Sequence, residues 1–138
     1  GQNWWALYHS LVVCLWGHYP NGSPIENLVN AMSSATGWDV TPSELIKVGE
    51  RAWNLCRILN VRDGITRKDD MLPERFADRL TDGACKGQHV SKEVLDKMLN
   101  HYYKFRGWNT ETGVPTREKL EELDLGYAAD ELQKLRKL

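Results

Sequence analysis

Cysteine is scarce in this 138-residue chain: Cys14, Cys56 and Cys85 are the only three. An odd, low count excludes a secreted disulfide scaffold. No two of them form a C-x-x-C pair, so the chain holds no self-contained zinc or iron–sulfur ligand set. Positive charge is not in excess. Eighteen Lys and Arg face 19 Asp and Glu, for a net charge of −1. That balance excludes nucleic acid as an electrostatic partner, since such binders carry a clear basic surplus. No apolar run approaches the roughly 18 residues of a membrane span, so no membrane is expected either. The first residues lack the basic-then-apolar pattern of a secretory leader, and the expected location is the cytoplasm. The four histidines, His9, His18, His89 and His101, fall in no H-x-x-x-H or H-E-x-x-H spacing. G-x-S-x-G, P-loop and G-x-G-x-x-G motifs are absent, so the common hydrolase and nucleotide-binding signatures find no foothold.

What the chain does contain is apolar and helical. Apolar residues make up 41% and charged residues 27%, which excludes wholesale disorder. Six tryptophans, Trp4, Trp5, Trp16, Trp38, Trp53 and Trp108, are a large apolar payload, expected in the core or over a surface meant for a partner. Residues 4–16 are apolar nearly all round and predict a helix buried in a core or an interface. Ser23-Pro24-Ile25-Glu26 predicts a capped start with Pro24 in the first helical position and a stop at Gly37. Leu28, Val29 and Met32 mark its apolar face. Thr41-Pro42-Ser43-Glu44 repeats the start signature. It opens a long helix to about residue 60, with Leu45, Val48, Ala52, Leu55, Cys56 and Leu59 at helical spacing. Cys56 is therefore expected as a small buried hydrophobe.

Residues 61–90 differ. They are polar, with little period, a short helix after Pro73, turns at Asp82-Gly83 and Lys86-Gly87, and an extended piece at 88–90. A loop of this length is usually functional or packed on something else. Ser91 caps a further helix to about residue 106, with Val94, Leu95, Met98, Leu99 and Tyr102 expected inward. Short helices follow at 116–123 and from 127 onward. The expected fold is all-α: one irregular helical domain over residues 1–138, of about five to seven helices with one long polar loop. Among chemistry-bearing groups, Asp69-Asp70 beside Arg67, Lys68, Glu74 and Arg75 reads as a solvated or interfacial ion-pair network. Cys85 beside Lys86 reads as an exposed loop thiol.

Several runs, taken together, resemble one family. They are Thr36-Gly-Trp-Asp-Val-Thr-Pro-Ser-Glu-Leu45, Gly49-Glu-Arg-Ala-Trp-Asn-Leu55, Asn60-Val-Arg-Asp-Gly64, Arg67-Lys-Asp-Asp70 and Leu72-Pro-Glu-Arg-Phe76. Tyr102-Tyr103, Arg106-Gly-Trp108 and Gly113-Val-Pro-Thr-Arg117 continue them in order and spacing. They resemble the C-terminal helical domain of the tungsten-dependent aldehyde:ferredoxin oxidoreductases, over nearly all of residues 10–123.

The resemblance implies an enzyme several times longer than this chain. Such enzymes hold a tungsten or molybdenum bis-pterin and a [4Fe–4S] cluster, oxidise aldehydes to carboxylic acids and pass electrons to ferredoxin. The chemistry is the cofactor's, and no catalytic side chain is implied here. Three cluster cysteines of the family lie in an upstream C-x-x-C-x-x-x-C run absent from this sequence. The fourth lies in a D-x-x-G-L-C motif, which His9-Ser10-Leu11-Val12-Val13-Cys14 resembles. Cys14 is thereby implied as a metal ligand, with His9 and Val13 at cofactor-binding positions. The motif's aspartate is replaced by His9, which can donate or accept a hydrogen bond but carries no permanent negative charge. Its Gly-Leu is replaced by Val12-Val13, adding bulk. The implied partners are the upstream domains of the same enzyme, and ferredoxin for the whole. The isolated chain, as an excised domain or split subunit, is expected to be inactive and free of cofactor. A non-catalytic helical interaction module or degenerate subunit is the alternative, with His9 its main support. An unrelated bundle with a reactive thiol is a third reading.

Overall fold

The structure is a computed structural model and describes residues 1–14, 24–135 and 137. Six α-helices lie among them: α1 (Gln2–Leu11), α2 (Ile25–Thr36), α3 (Pro42–Arg62), α4 (Lys92–Arg106), α5 (Arg117–Glu122) and α6 (Gly126–Lys134). Two 3-10 turns, Arg67–Asp69 and Glu74–Phe76, interrupt the long loop. The described residues contain no strand beyond a single bridge between Trp108 and Pro115. The all-α expectation holds. None of the described helices is long and apolar enough to cross a membrane. The chain divides into two compact units: Gly1–Cys56 with Leu123–Leu125, and Arg57–Glu122 with Gly126–Leu138.

In the first unit α1 packs closely on α3. A Cβ built on Gly49 would lie 1.9 Å from the Asn3 carbonyl oxygen and 3.0 Å from the Leu7 amide nitrogen, so only hydrogen fits there. Leu7, Tyr8 and Leu45 are buried beside this crossing. Leu123 and Leu125, distant in sequence, are buried in the same unit. Arg51 holds them: its Nε donates to the Leu123 carbonyl at 2.8 Å and its Nη2 to Asp124 at 2.8 Å, with Lys47 on the same carboxylate. The Thr41 capping box is present. The Thr41 amide donates to Glu44 Oε2 at 2.7 Å, and the Glu44 amide donates to Thr41 Oγ1 at 3.3 Å. At α2 the cap is Pro24, without a side-chain hydrogen bond, so proline precedes the helix instead of opening it; Ser23 lies outside the described residues. Gly37 ends α2 in the left-handed region, as read from the sequence.

The second unit buries Ile58 and Val61 of α3, Tyr103 and Arg106 of α4, then Trp108, Leu120, Ala128, Ala129 and Leu132. Ser91 caps α4 by accepting from the Val94 amide at 3.3 Å, and Gly107 ends it. In the long loop Leu80 pairs with Gly87 and Gln88, and the Val90 amide donates to the Phe76 carbonyl at 2.8 Å. The 88–90 segment is thus tied by backbone bonds but forms no strand.

Four expectations need correction. The apolar run of residues 4–16 does not make one helix, because α1 ends at Leu11; Leu15 and Trp16 lie outside the described residues. Cys56 is exposed, like Leu59. Both continue the spacing of Leu45 and Ala52, but the residues of α3 buried in the second unit are Arg57, Ile58 and Val61, off that stripe. Val94 and Met98 are exposed too, since Tyr103 and Arg106 define the inward side of α4. Of the described tryptophans only Trp108 is buried, and Trp38 is 63% exposed.

Candidate functional site

The stretch from His9 to Cys14 forms the C-terminal end of α1. The Val12 amide donates to the His9 carbonyl at 3.3 Å and the Val13 amide to the Tyr8 carbonyl at 3.4 Å. This pair of bonds is a Schellman cap, whose turning residue is normally glycine because it sits in the left-handed region. Here that residue is Val12, at φ 56° and ψ 30°. A β-branched side chain in that conformation crowds its own backbone, at a cost of about 1–2 kcal/mol. Val12 is the position at which the D-x-x-G-L-C pattern carries glycine.

The cap brings the three residues implied by the resemblance onto one exposed end. His9 occupies the last turn, where the helix dipole favours a donor or a cation. Val13 follows the turn, and Cys14 is exposed and free of any disulfide. Val12 is 90% exposed. Tyr8, one position before His9, is buried, and burial raises its phenol pKa. A thiolate suits iron, and Cys14 is sterically open to it. No group of three or more His, Cys, Asp or Glu able to hold a metal occurs among the described residues. The chemistry and exposure of Cys14 fit a single iron ligand.

A second constellation lies in the other unit and was not legible as a whole. Arg57, on α3, donates from Nη1 and Nη2 to both oxygens of Asp70 at 2.9 and 2.6 Å, and from Nε to the Gly113 carbonyl at 2.8 Å. Tyr103 on α4 donates its hydroxyl to Asp70 Oδ2. The Arg57 guanidinium also lies 5.2 Å from the Trp108 ring centroid, and Arg67 lies at the same distance from the Tyr103 ring. Arg67 binds the Thr110 carbonyl and pairs with Asp96. Gly113, at φ +72°, is obligatory: a Cβ there would fall 2.3 Å from Arg57 Nη2 and 3.0 Å from the Tyr103 hydroxyl.

Burial first, then the Asp70 hydrogen bond and charge, push the Tyr103 phenol well above its usual range. Proton transfer from Tyr103 is thus disfavoured near neutrality. Asp70 is engaged by Arg57 and Tyr103, so this cluster is a brace holding the loop, α3, α4 and the 109–116 turn. The Asp69-Asp70 pair is divided. Asp70 enters the brace, while Asp69 accepts from the Thr66 amide and hydroxyl at 2.8 and 3.0 Å, closing a capping box that lowers its pKa. Cys85 is exposed in its loop, as expected.

The sequence model of the family described as aldehyde ferredoxin oxidoreductase, domains 2 and 3, matches residues 1–125. A tungsten-containing aldehyde ferredoxin oxidoreductase of Pyrococcus furiosus is 39% identical over 90% of this chain and 20% of its own length. The corresponding Thermococcus kodakarensis protein is 38% identical over 87% of this chain and 19% of its own. An aliphatic sulfonate oxidoreductase, WOR-like subunit, of Pyrococcus furiosus is 35% identical over 96% of this chain and 22% of its own. Among solved structures, the active site complex BamBC of benzoyl coenzyme A reductase with 1,5 dienoyl-CoA gives a TM-score of 0.69 at 31% identity, over 84% of this chain and 16% of that one. The chain thus spans about a fifth of the length of the curated relatives it matches.

Proposed function

The chain belongs to the aldehyde ferredoxin oxidoreductase family, and we propose that it works as the C-terminal helical part of an enzyme oxidising aldehydes to carboxylic acids. Overall, one aldehyde and one water give the acid, two protons and two electrons, the electrons leaving to ferredoxin. A tungsten– or molybdenum–pterin centre and a [4Fe–4S] cluster supply the redox chemistry when bound. This chain's part is positional. Cys14 offers one thiolate to the cluster, with the remaining ligands coming from upstream. His9 offers an imidazole N–H or lone pair to the pterin, and Val13 lines the same end of α1. Alone, with a single cluster ligand, the chain is inert.

One observation carries this reading. Val12 adopts the left-handed turn at the position where the motif has glycine, and it delivers Cys14 unpaired and exposed just beyond the helix end. The test is Cys14→Ser in the native-length polypeptide, with iron content and the low-temperature EPR signal as readouts. Loss or weakening of the cluster signal is expected. Unchanged iron and an unchanged spectrum would overturn the ligand role. A second reading, a helical module without chemistry, draws on His9 standing where the motif has a carboxylate. In that case His9→Asp leaves pterin retention unaltered, whereas the enzyme reading expects it to rise.

A further inference from the structure

The second unit holds a cleft of about 600 Å³ that neither the α1 end nor the Arg57–Asp70 brace uses. It lies where the last turn of α3 and the 64–66 segment meet the 109–118 turn, with Lys137 beside them. Small-molecule sites usually measure roughly 300–1,000 Å³ and combine apolar walls with a few placed polar groups. Here Val61 and Pro115 are buried, Val114 is half-buried and Ile65 stands at the rim. Backbone bonds fix the walls. The Arg67 amide donates to the Thr112 carbonyl at 3.1 Å and the Asn109 amide to the Val114 carbonyl at 2.7 Å. Lys137 Nζ donates to the Val61 and Arg62 carbonyls at 3.1 and 2.6 Å, which satisfies the end of α3 and closes one side.

The neutral polar groups of this lining are donors. Asn109 Oδ1 accepts from the Glu111 and Thr112 amides at 2.8 and 3.0 Å, which fixes the orientation of its side-chain amide. The N–H groups of its Nδ2 then meet no acceptor among the described residues. Thr112 Oγ1 accepts from the Val114 amide at 3.3 Å and Thr116 Oγ1 from the Lys119 amide at 3.2 Å, so each hydroxyl keeps its proton to donate. Among the charged lining residues, Arg117 and Lys137 outweigh Glu118 by one positive charge. Both cations are already engaged, Arg117 by Glu121 and Asp130 and Lys137 by the two carbonyls. A doubly charged phosphate would find no uncommitted counter-charge here, whereas a single carboxylate can be held by neutral donors. We propose that the cleft is a binding site for a small monocarboxylate with a hydrocarbon body. The body rests on Val61, Val114 and Pro115, and the carboxylate accepts from Asn109, Thr112 and Thr116. The proposal goes beyond the aldehyde-oxidising reading and uses neither cluster nor pterin. The acid formed in that reaction is one source of such a ligand, and an acid made elsewhere is the other.

The test is photolabelling of the native-length polypeptide with a trifluoromethyl-diazirinyl benzoate, the modified residues being located by peptide mass spectrometry. Labelling is expected within residues 61–65 or 112–116, and excess phenylacetate should reduce it at least tenfold. Phenethylamine, similar in shape and opposite in charge, should leave it within about twofold. No labelling of these residues, or equal competition by the amine, would overturn the proposal. Asn109→Asp keeps both backbone amides paired and replaces the Nδ2 donors with a carboxylate oxygen, so labelling should fall at least tenfold. Labelling of that variant within about twofold of the unsubstituted protein would also overturn the site. Ile65→Trp guards against a folding artefact: it fills the cleft from the rim, where Ile65 is 38% exposed, and removes none of these side-chain bonds. It should abolish labelling with hydrogen exchange at Tyr103 unchanged, and retained labelling would place the probe elsewhere and overturn the site. Stronger competition by the acid of the aldehyde that the enzyme oxidises fastest would identify the product as the ligand, and the reverse ranking an acid made elsewhere. Because the label is located by peptide and needs no cofactor, failure here is distinguishable from failure of the Cys14→Ser test.

Discussion

The end of α1 and the Arg57–Asp70–Tyr103 cluster treat polar groups in opposite ways. Around Asp70 both carboxylate oxygens have partners, a guanidinium is shared between a carboxylate, a carbonyl and an indole face, and a glycine is required to make room. At Cys14 the thiol is open, the neighbouring valines are exposed, and the turn that presents them is held by a residue that resists it. A polar network closed on itself has its work done by folding alone. Chemical reactivity in this chain is therefore better sought where the hydrogen-bond account is unfinished than where charges are densest.

Four changes would break or sharpen this contrast. Arg57→Met should be the most damaging. It leaves Asp70 and the Gly113 carbonyl without their partner and should cost about 3 kcal/mol, read as faster exchange of α3 and α4 amides in native-state hydrogen exchange. An effect below about 1 kcal/mol would mean the brace is dispensable. Gly49→Ala should come next, at roughly 2 kcal/mol, because the new methyl meets the Asn3 backbone and not a movable side chain. Its signature is accelerated exchange confined to α1 and the neighbouring turns of α3. Val12→Gly should do the reverse, stabilising the end of α1 by about 1 kcal/mol as the left-handed strain is relieved. Slower exchange at the Val13 amide, a donor of the cap, would register it. The smallest effect concerns pH. Tyr103 has a folded pKa raised above its unfolded value of 10.0, so its contribution is complete below pH 10 and is lost as pH rises beyond it. Tyr8 shifts in the same direction. Tyr103→Phe should therefore shallow the alkaline decline in stability without abolishing it, as followed by urea midpoints between pH 9 and 11.

Helix starts were legible because their chemistry is local: Thr41 with Glu44, and Ser91 with the Val94 amide, lie within one turn of each other. The glycine stops at Gly37 and Gly107 were legible for the same reason. The brace was not, because Arg57, Asp70, Tyr103 and Gly113 are brought together only by tertiary structure; an arginine amid the apolar positions of α3 was its one local sign. Cys56 was misread because spacing continued after the buried residues had moved elsewhere on the helix. The end of α1 was misread because valine gives no hint of a left-handed turn, and only the glycine of the resembled motif pointed there.

Leu123–Leu125 belongs with Gly1–Cys56 although the intervening chain belongs elsewhere. Arg51 and Lys47 receive this short segment through the Leu123 carbonyl and the Asp124 carboxylate. On the ribosome, then, the first unit cannot close when its own helices have emerged. It must wait for nearly half the chain to be made, at a pace of roughly 5–20 residues per second. For those seconds Leu45 and its neighbours lack Leu123 and Leu125. A truncation before Leu123 would leave both units incomplete: the first loses Leu123–Leu125 and the second loses Gly126–Leu138 with buried Ala128, Ala129 and Leu132.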